Sequence, residues 1–418
     1  MASTSITGQA SWSGRSLSLY QLLDPEVLAN PYPLYRQLQD EAPVYWDAFL
    51  HAWVVTRYAD VVKVLQEFSA DRTPTPEQLS AMGLARINPI AQVMVKQMLF
   101  MDAPAHTRLR GLCSAAFTPR RVEALRTHIQ EIVDSLIDAV YQRGRMDLLA
   151  DLANPLPAIV TAELMGLPTS DHRMLKGWSA DFAEMLGNFQ HNPNRIARVL
   201  QTVEDMTNYF LRAVREQSVK PGNGLVNALV HAEVNGSRLS EEEIVANCIV
   251  TMVGGQETTT NLIGSGILTL LRHPAELERL RSNSALIPSA VEELLRYESP
   301  SQHTGRIAPR DFEMGGKTIR KGQATIAVMA AANRDPQRFP DPDCLDLERK
   351  DNRHVAFGYG AHFCFGAPLA RMEGQIAFET ILRRFPNLAL DPGPLTWRYN
   401  LGLRGLVALP LTFGPQAQ

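Results

Sequence analysis

Long apolar runs are missing from this 418-residue chain: none reaches the roughly 20 residues needed to span a bilayer. The opening MASTSITGQASWSGRSLSLY is polar and serine-rich, without the apolar centre of a signal peptide. A cytoplasmic protein with no membrane attachment is expected. Cysteine is scarce as well. Cys113, Cys248, Cys344 and Cys364 are far apart, which suits a reducing compartment and excludes a disulfide framework. Charge of either sign is not in surplus: 41 Lys and Arg against 44 Asp and Glu leave a net charge of -3, so there is no general basic field for nucleic acid or anionic lipid. Repeats, low-complexity linkers and composition breaks are absent after about residue 17. What is present is 45% hydrophobic residues, enough for a large core. A flexible tail over 1–16 and one domain over 17–418, acting as a monomer, are the simplest organisation.

Apolar residues at helical spacing predict helices over 25–39, 58–68, 119–143, 198–218, 240–272, 276–281, 286–297 and 366–385. Strand-like pieces occur in PVYWDAFLHAWVVTR, in DFEMGGKTIRKGQATIAVMAA, and in LALDPGPLTW with LVALPLTF. The fold class is therefore mostly α with a minor β region.

The helix over 240–272 opens on a capping box, Ser240 followed by Glu243, and ends before Pro274. At 1.5 Å per residue it would cross a whole domain, roughly 50 Å. In its middle stand Gly254 and Gly255, each weakening a helix by about 1 kcal/mol relative to Ala, then three threonines at 258–260. Either something approaches the backbone closely there, with Glu257 and Thr258 presenting polar groups, or the glycines mark a helix crossing with Thr hydroxyls bonded back to carbonyls.

The stretch HVAFGYGAHFCFGAPLARME sets Cys364 just before a helix-forming run, where free N–H groups and the helix dipole favour a thiolate. Gly358, Gly360 and Gly366 let the backbone fold around the sulfur. Zinc would need two ligands beyond His362 and Cys364, and Cys344 stands alone upstream. A single thiolate without protein co-ligands fits haem with a cysteine axial ligand.

On these residues the sequence resembles the cytochrome P-450 family. Phe357, Gly358, Gly360, His362, Cys364 and Gly366 reproduce its haem-loop pattern F-G-x-G-x-H-x-C-x-G, and further signatures follow the family's order from about Leu17 to Phe413. GGQETT resembles the distal-helix motif, with Gly254 and Gly255 beside the cofactor and Glu257 and Thr258 as the acid and alcohol that deliver protons during dioxygen activation. EELLR supplies Glu293 and Arg296, which share a helix face at i and i+3, and LDLERK offers Arg349 as the third member of the family's haem-side ion cluster. His106 and Arg110 in HTRLR, Arg306 in HTGRIA, and His362 resemble the residues that hold the haem propionates.

The resemblance implies a haem b monooxygenase that inserts one oxygen atom into a C–H bond or alkene of a medium to large lipophilic metabolite, in the style of bacterial polyketide, macrolide or terpenoid tailoring. Electrons would come from NAD(P)H through a separate ferredoxin or flavodoxin with its reductase, steered by basic residues such as Arg108, Arg353 and Arg371. The alternatives are a peroxide-driven fatty-acid hydroxylase, which usually lacks the acid and alcohol pair, and a haem-based gas sensor, which gains little from a proton relay. The implied pocket takes its walls from 72–100, 180–200, Val250 to Gly254, the turn PSQHTG and the tail, with Val250, Val253 and Leu401 as apolar contacts and Gln302, His303 and Asn400 as polar ones. The run IAQVMVKQMLF reads either as an adaptable methionine wall over a ligand or as plain core.

Overall fold

The computed structural model describes residues 17–116, 119–187, 193–234 and 236–414, so the tail expected over 1–16 lies outside the described residues. Helices that position the site are α1 (Tyr32–Glu41), α2 (Tyr58–Glu67), α3 (Ala105–Ala116), α4 (Arg126–Tyr141), α5 (Pro155–Met165), α6 (His172–Gly187), α7 (Pro193–Val219), α8 (Glu241–Arg272), α9 (Ile287–Tyr297) and α10 (Ala367–Arg384). Apart from the short pair Glu233–Val234 and Ser237–Arg238, strands among the described residues are β1 (Val44–Asp47), β2 (Ala52–Val55), β3 (Arg145–Asp147), β4 (Thr304–Ile307), β5 (Phe312–Met314), β6 (Lys317–Ile319), β7 (Ala324–Ala327), β8 (Ala389–Leu390) and β9 (Pro410–Thr412). The helical content with a minor sheet region agrees with the expected class. The stretch read as one helix over 25–39 breaks at Asn30 and Pro31, because proline removes an amide donor and disfavours the helical conformation of the residue before it. That expected over 119–143 likewise divides, into Pro119–Glu123 and α4.

The principal sheet has the order β1-β2-β7-β4, with β2 and β7 parallel and the other pairs antiparallel. Side chains alternate across a strand, and here both faces are covered. Val54 and Ile326 join a cluster with Leu19, Leu38 and Leu401, while Val55 and Ala327 join another with Val61, Leu65 and Phe312. The larger core lies among the helices, with α8 packed against α5, α6, α7 and α10. That explains why α8 is apolar on most sides: Ile249, Met252, Ile263 and Ile267 are all buried. Its start is secured by the capping box, in which Ser240 accepts from the Glu243 amide and the Glu243 carboxylate accepts from the Ser240 amide.

Candidate active site around Cys364

The loop before α10 is folded by its glycines. Gly358 and Gly360 have φ of +72° and +70°, left-handed values that a side chain rarely adopts, and they turn the chain so that the Cys364 amide donates to the Phe357 carbonyl at 2.8 Å. Cys364 then sits half-buried immediately ahead of α10, whose first turn contains Pro368. Burial pushes its thiol pKa up, opposed by the nearby amides of Gly366 and Ala367 and by the positive charges of Arg110 and Arg371. Those groups favour the thiolate, the form that binds metal.

Beneath this loop lies a buried ion cluster. Glu293 and Arg296 on α9 have fully buried side chains and form a two-point pair, each bond 2.8 Å. Arg349 reaches the same carboxylate at 3.2 Å. Arg296 spends its remaining donors on the carbonyls of Asn333, Pro342 and Cys344, and Arg349 on those of Pro340, Asp341 and Cys344. Asn352 and the Asp346 amide complete the carboxylate's shell. A buried carboxylate is tolerated only when so fully bonded, and here it ties α9 to the 333–352 segment that leads into the cysteine loop.

His106 and His362 stack with ring centroids 4.1 Å apart. Arg306 and Arg110 belong to the same basic group. Arg306, on β4, donates to Thr304 and to the Gly305 carbonyl, while Arg110 donates to the Phe363 carbonyl at 2.8 Å. Among the described residues no carboxylate hydrogen-bonds either arginine, and His106 Nε2 and Arg306 Nε are buried without a partner. Burial and the neighbouring His106 and Arg306 push His362 down to about 4, and burial pushes Arg306 down to about 10. Four basic side chains with Asp102 as the one carboxylate acting on them among the described residues, and with orphaned donors, leave positive charge unbalanced, an environment suited to further carboxylates.

On α8 the two glycines part company. A Cβ on Gly254 would meet nothing within 4 Å, whereas one on Gly255 would lie 2.9 Å from Thr161 Oγ1 of α5. Gly255 therefore serves a helix crossing, which corrects its expected place beside a cofactor, and Gly254 keeps the open side. Thr258 donates back to the Gly254 carbonyl at 2.9 Å on that side. Glu257 is fully buried between Lys176 of α6 at 2.5 Å and Arg398 of the C-terminal tail at 2.6 Å. Burial alone would raise its pKa, yet these two cations outweigh that and hold the carboxyl below the usual range. Nothing in the sequence marks Lys176 or Arg398 as its partners.

Several expected pocket residues have other work. The Gln302 amide accepts from Tyr35 and donates to the Ser299 carbonyl, and the Asn400 amide donates to the Ala183 carbonyl and accepts from the amides of Gly402 and Leu403. Both are buried, and these bonds hold loops together, which gives each a structural role. Val253 is buried in the helical core and Leu401 in the cluster under the sheet, leaving half-buried Val250 on α8. His303 bonds the Leu401 backbone, and burial lowers its pKa to about 4. The methionine run is core at Met98, which joins the helical cluster with Ile90, and Phe100 is buried as well. It is latched by Asn247, a buried polar residue in an apolar helix that accepts from the Met98 amide and donates to the carbonyls of Lys96 and Glu243. Residues 188–192 of the expected 180–200 wall lie outside the described residues. Arg108 pairs with Glu243 at the start of α8 rather than standing free near Cys364. Arg371 is held by Glu292 and stacks on Phe357, while Arg353 stays largely exposed beside Asp351.

A family model described as Cytochrome P450 matches residues 51–394. The chain belongs to the cytochrome P450 family. It is 38% identical over 396 residues to the polyketide biosynthesis cytochrome P450 PksS of Bacillus subtilis, covering 92% of this chain and 96% of that one. To the cytochrome P450 monooxygenase PikC of Streptomyces venezuelae it is 39% identical over 404 residues, covering 93% and 92%. The solved structure of P450BioI in complex with a hexadec-9Z-enoic acid-ligated acyl carrier protein superposes with a TM-score of 0.88 at 38% identity, over 93% of this chain and 99% of that one. The P450 is thus a monooxygenase that uses haem b, takes electrons from NAD(P)H through partner proteins and acts on lipophilic substrates. Its residues fit the haem: a cysteine set at a helix start by a glycine-folded loop, an open glycine on the long helix, and a basic cluster with one nearby carboxylate where two propionates are required. Among the described residues no helix is long and apolar enough to cross a membrane.

Proposed function

We propose that residues 17–418 act as one haem-thiolate monooxygenase domain in which Cys364 would hold the iron through its thiolate, His106, Arg110, Arg306 and His362 would hold the propionates, and Glu257 with Thr258 controls proton entry. The observation that carries this reading is the glycine-folded loop, with Gly358 and Gly360 in left-handed conformations and the Cys364 amide bonded to the Phe357 carbonyl, which sets Cys364 at the start of α10. When bound through a cysteine thiolate, haem supplies oxygen activation strong enough for insertion into unactivated C–H bonds or alkenes. The protein's share is positioning and proton timing. Phe357, Gly358 and Gly366 shape the thiolate loop, and Gly254 leaves room on the opposite helix. Thr258 presents a hydroxyl whose hydrogen is parked on the Gly254 carbonyl at 2.9 Å, from which it can swing to a reacting oxygen. Glu257, kept ionised by Lys176 and Arg398, accepts a proton from the solvent side and passes it toward Thr258.

The substrate class we infer is a medium to large lipophilic metabolite of polyketide, macrolide or fatty-acyl type. Relatives named for polyketide biosynthesis and a fatty-acyl carrier complex support it. Electrons would arrive from a separate ferredoxin or flavodoxin in the cytoplasm. The test is to add polyketide lactones, free fatty acids and carrier-bound acyl chains to the ferric protein, follow the spin-state shift, and reconstitute turnover with a ferredoxin and its reductase. A shift with one of these, followed by NADH-dependent hydroxylated or epoxidised product, is expected. Product formed from peroxide alone at the same rate would favour the peroxide-driven reading and overturn this one.

A further inference from the structure

The basic cluster has a member outside the residues already assigned. Ser69 exchanges backbone hydrogen bonds with Ile307, each 2.9 Å, which lays the loop after α2 along β4. Arg72 of this loop lies over Gly305: a Cβ there would come within 3.3 Å of its Cδ and 3.6 Å of its Nε. A side chain at Gly305 would crowd it, so this position next to Arg306 leaves room for a second guanidinium. Arg72 is held from behind. Its Nη1 donates to the carbonyls of Ala70 and Leu99 at 3.0 and 3.2 Å, and its plane lies 4.4 Å from the Phe100 ring centroid. Asp102 is the nearby carboxylate, and it is already taken by the Ser69 hydroxyl and the Ala70 amide. Burial and then Arg306 push Arg72 down to about 9, and Arg72 in turn helps depress His362. Two arginines brought together by two chain segments repel each other unless an anion lies between them.

We propose that Arg72 is a third guanidinium of the propionate site, binding a haem carboxylate beside Arg306. The assignment rests on the haem-thiolate reading, and the chemistry it names is a carboxylate, which a fatty-acid substrate also carries.

The test is haem transfer from the holoenzyme to excess apomyoglobin, followed at the Soret band, for wild type, Arg72→Gln and Arg72→Lys. Loss of one charged contact should speed haem release about ten-fold in Arg72→Gln, with Arg72→Lys in between because it keeps the charge. The ferric/ferrous potential should also move negative in Arg72→Gln, since a cation near the porphyrin edge is removed; a purely packing role would leave it unchanged. A wild-type red-shifted carbonyl band in the same preparation separates failure of this assignment from failure of the haem site itself. Haem release equal to wild type would overturn the proposal. So would unchanged release with a weakened spin shift from fatty acid, because the carboxylate would then belong to the substrate. Should Arg72→Gln take up no haem, Arg72→Lys decides: release slower than a few-fold above wild type with a normal melting midpoint supports the charge role, and a lowered midpoint shows a structural one.

Discussion

Two buried carboxylates in this molecule each sit between two cations, and they are built in opposite ways. Glu293 pairs with Arg296 three residues along the same helix, side chains of both are fully buried, and every spare donor of the cations ends on a main-chain carbonyl. Glu257 pairs with Lys176 and Arg398, 81 and 141 residues away, whose side chains remain 17% and 22% exposed. In the first cluster Glu293 and Arg296 are fully buried and all five donors of Arg296 are bonded, with only Arg349 at 9% exposure reaching the surface, which suits a lock that fixes the approach to the cysteine loop. The second joins three separately placed elements and touches solvent through its cations, an arrangement that suits the proton exchange proposed for Glu257. Burial is similar; connectivity decides the role.

The comparison breaks most visibly at the lock. Arg296→Ala strands Glu293 in the core and should cost about 5 kcal/mol, so that no haem-loaded protein accumulates; chemical denaturation of whatever folds, beside haem content, measures it. Glu257→Gln should cost about 3 kcal/mol in the same assay, because Lys176 and Arg398 lose their counter-charge but can turn to water. Its larger signature is kinetic: product formation should fall roughly 100-fold with haem content retained, as expected for a lost acid–base group. If both variants fail equally to hold haem, the two clusters do not differ in role. Thr258→Ala removes the hydroxyl parked on Gly254 and should leave stability within about 1 kcal/mol, while product per NADH consumed falls several-fold and peroxide rises. An unchanged ratio would remove Thr258 from the proton route.

The smallest effect concerns Glu292, which links Arg371 and His354 at the edge of the cysteine loop. Although burial opposes it, bonding to Arg371 and His354 lowers its pKa from 4.5 to about 2. Its folded-state value is depressed, so its contribution is full above about pH 4.5 and is lost as pH falls toward 2. Glu292→Gln should therefore be less stable than wild type by about 1 kcal/mol at pH 7, with the gap closing across that window. A gap that is flat with pH would show that the pair contributes only packing.

The same contrast explains what could be read from the chain alone. The lock was legible because its central pair is local: Glu293 and Arg296 share a helix face, and Arg349 entered through the family resemblance. The cysteine loop was legible because positive φ demands glycine at 358 and 360. So was α8, whose capping box is a short-range signal. Lys176 and Arg398 were invisible, since only the fold brings α6 and the tail to Glu257. Gly255 looked like a cofactor contact because a glycine in a helix does not reveal which neighbour needs the space, and here it is Thr161. Gln302 and Asn400 looked like handles because a sequence does not show that their amides are spent on Tyr35, Ser299 and Ala183. Helix α5, PLPAIVTAELM, escaped because it is apolar nearly all round and shows no 3.6-residue stripe.

The central claim is thiolate ligation by Cys364, and the absorption spectrum of the dithionite-reduced protein with and without carbon monoxide tests it directly. A strongly red-shifted Soret band that disappears in Cys364→Ala is the predicted result. A carbonyl band at the ordinary histidine-type position in the wild type, or a red-shifted band that survives in Cys364→Ala, would contradict the account.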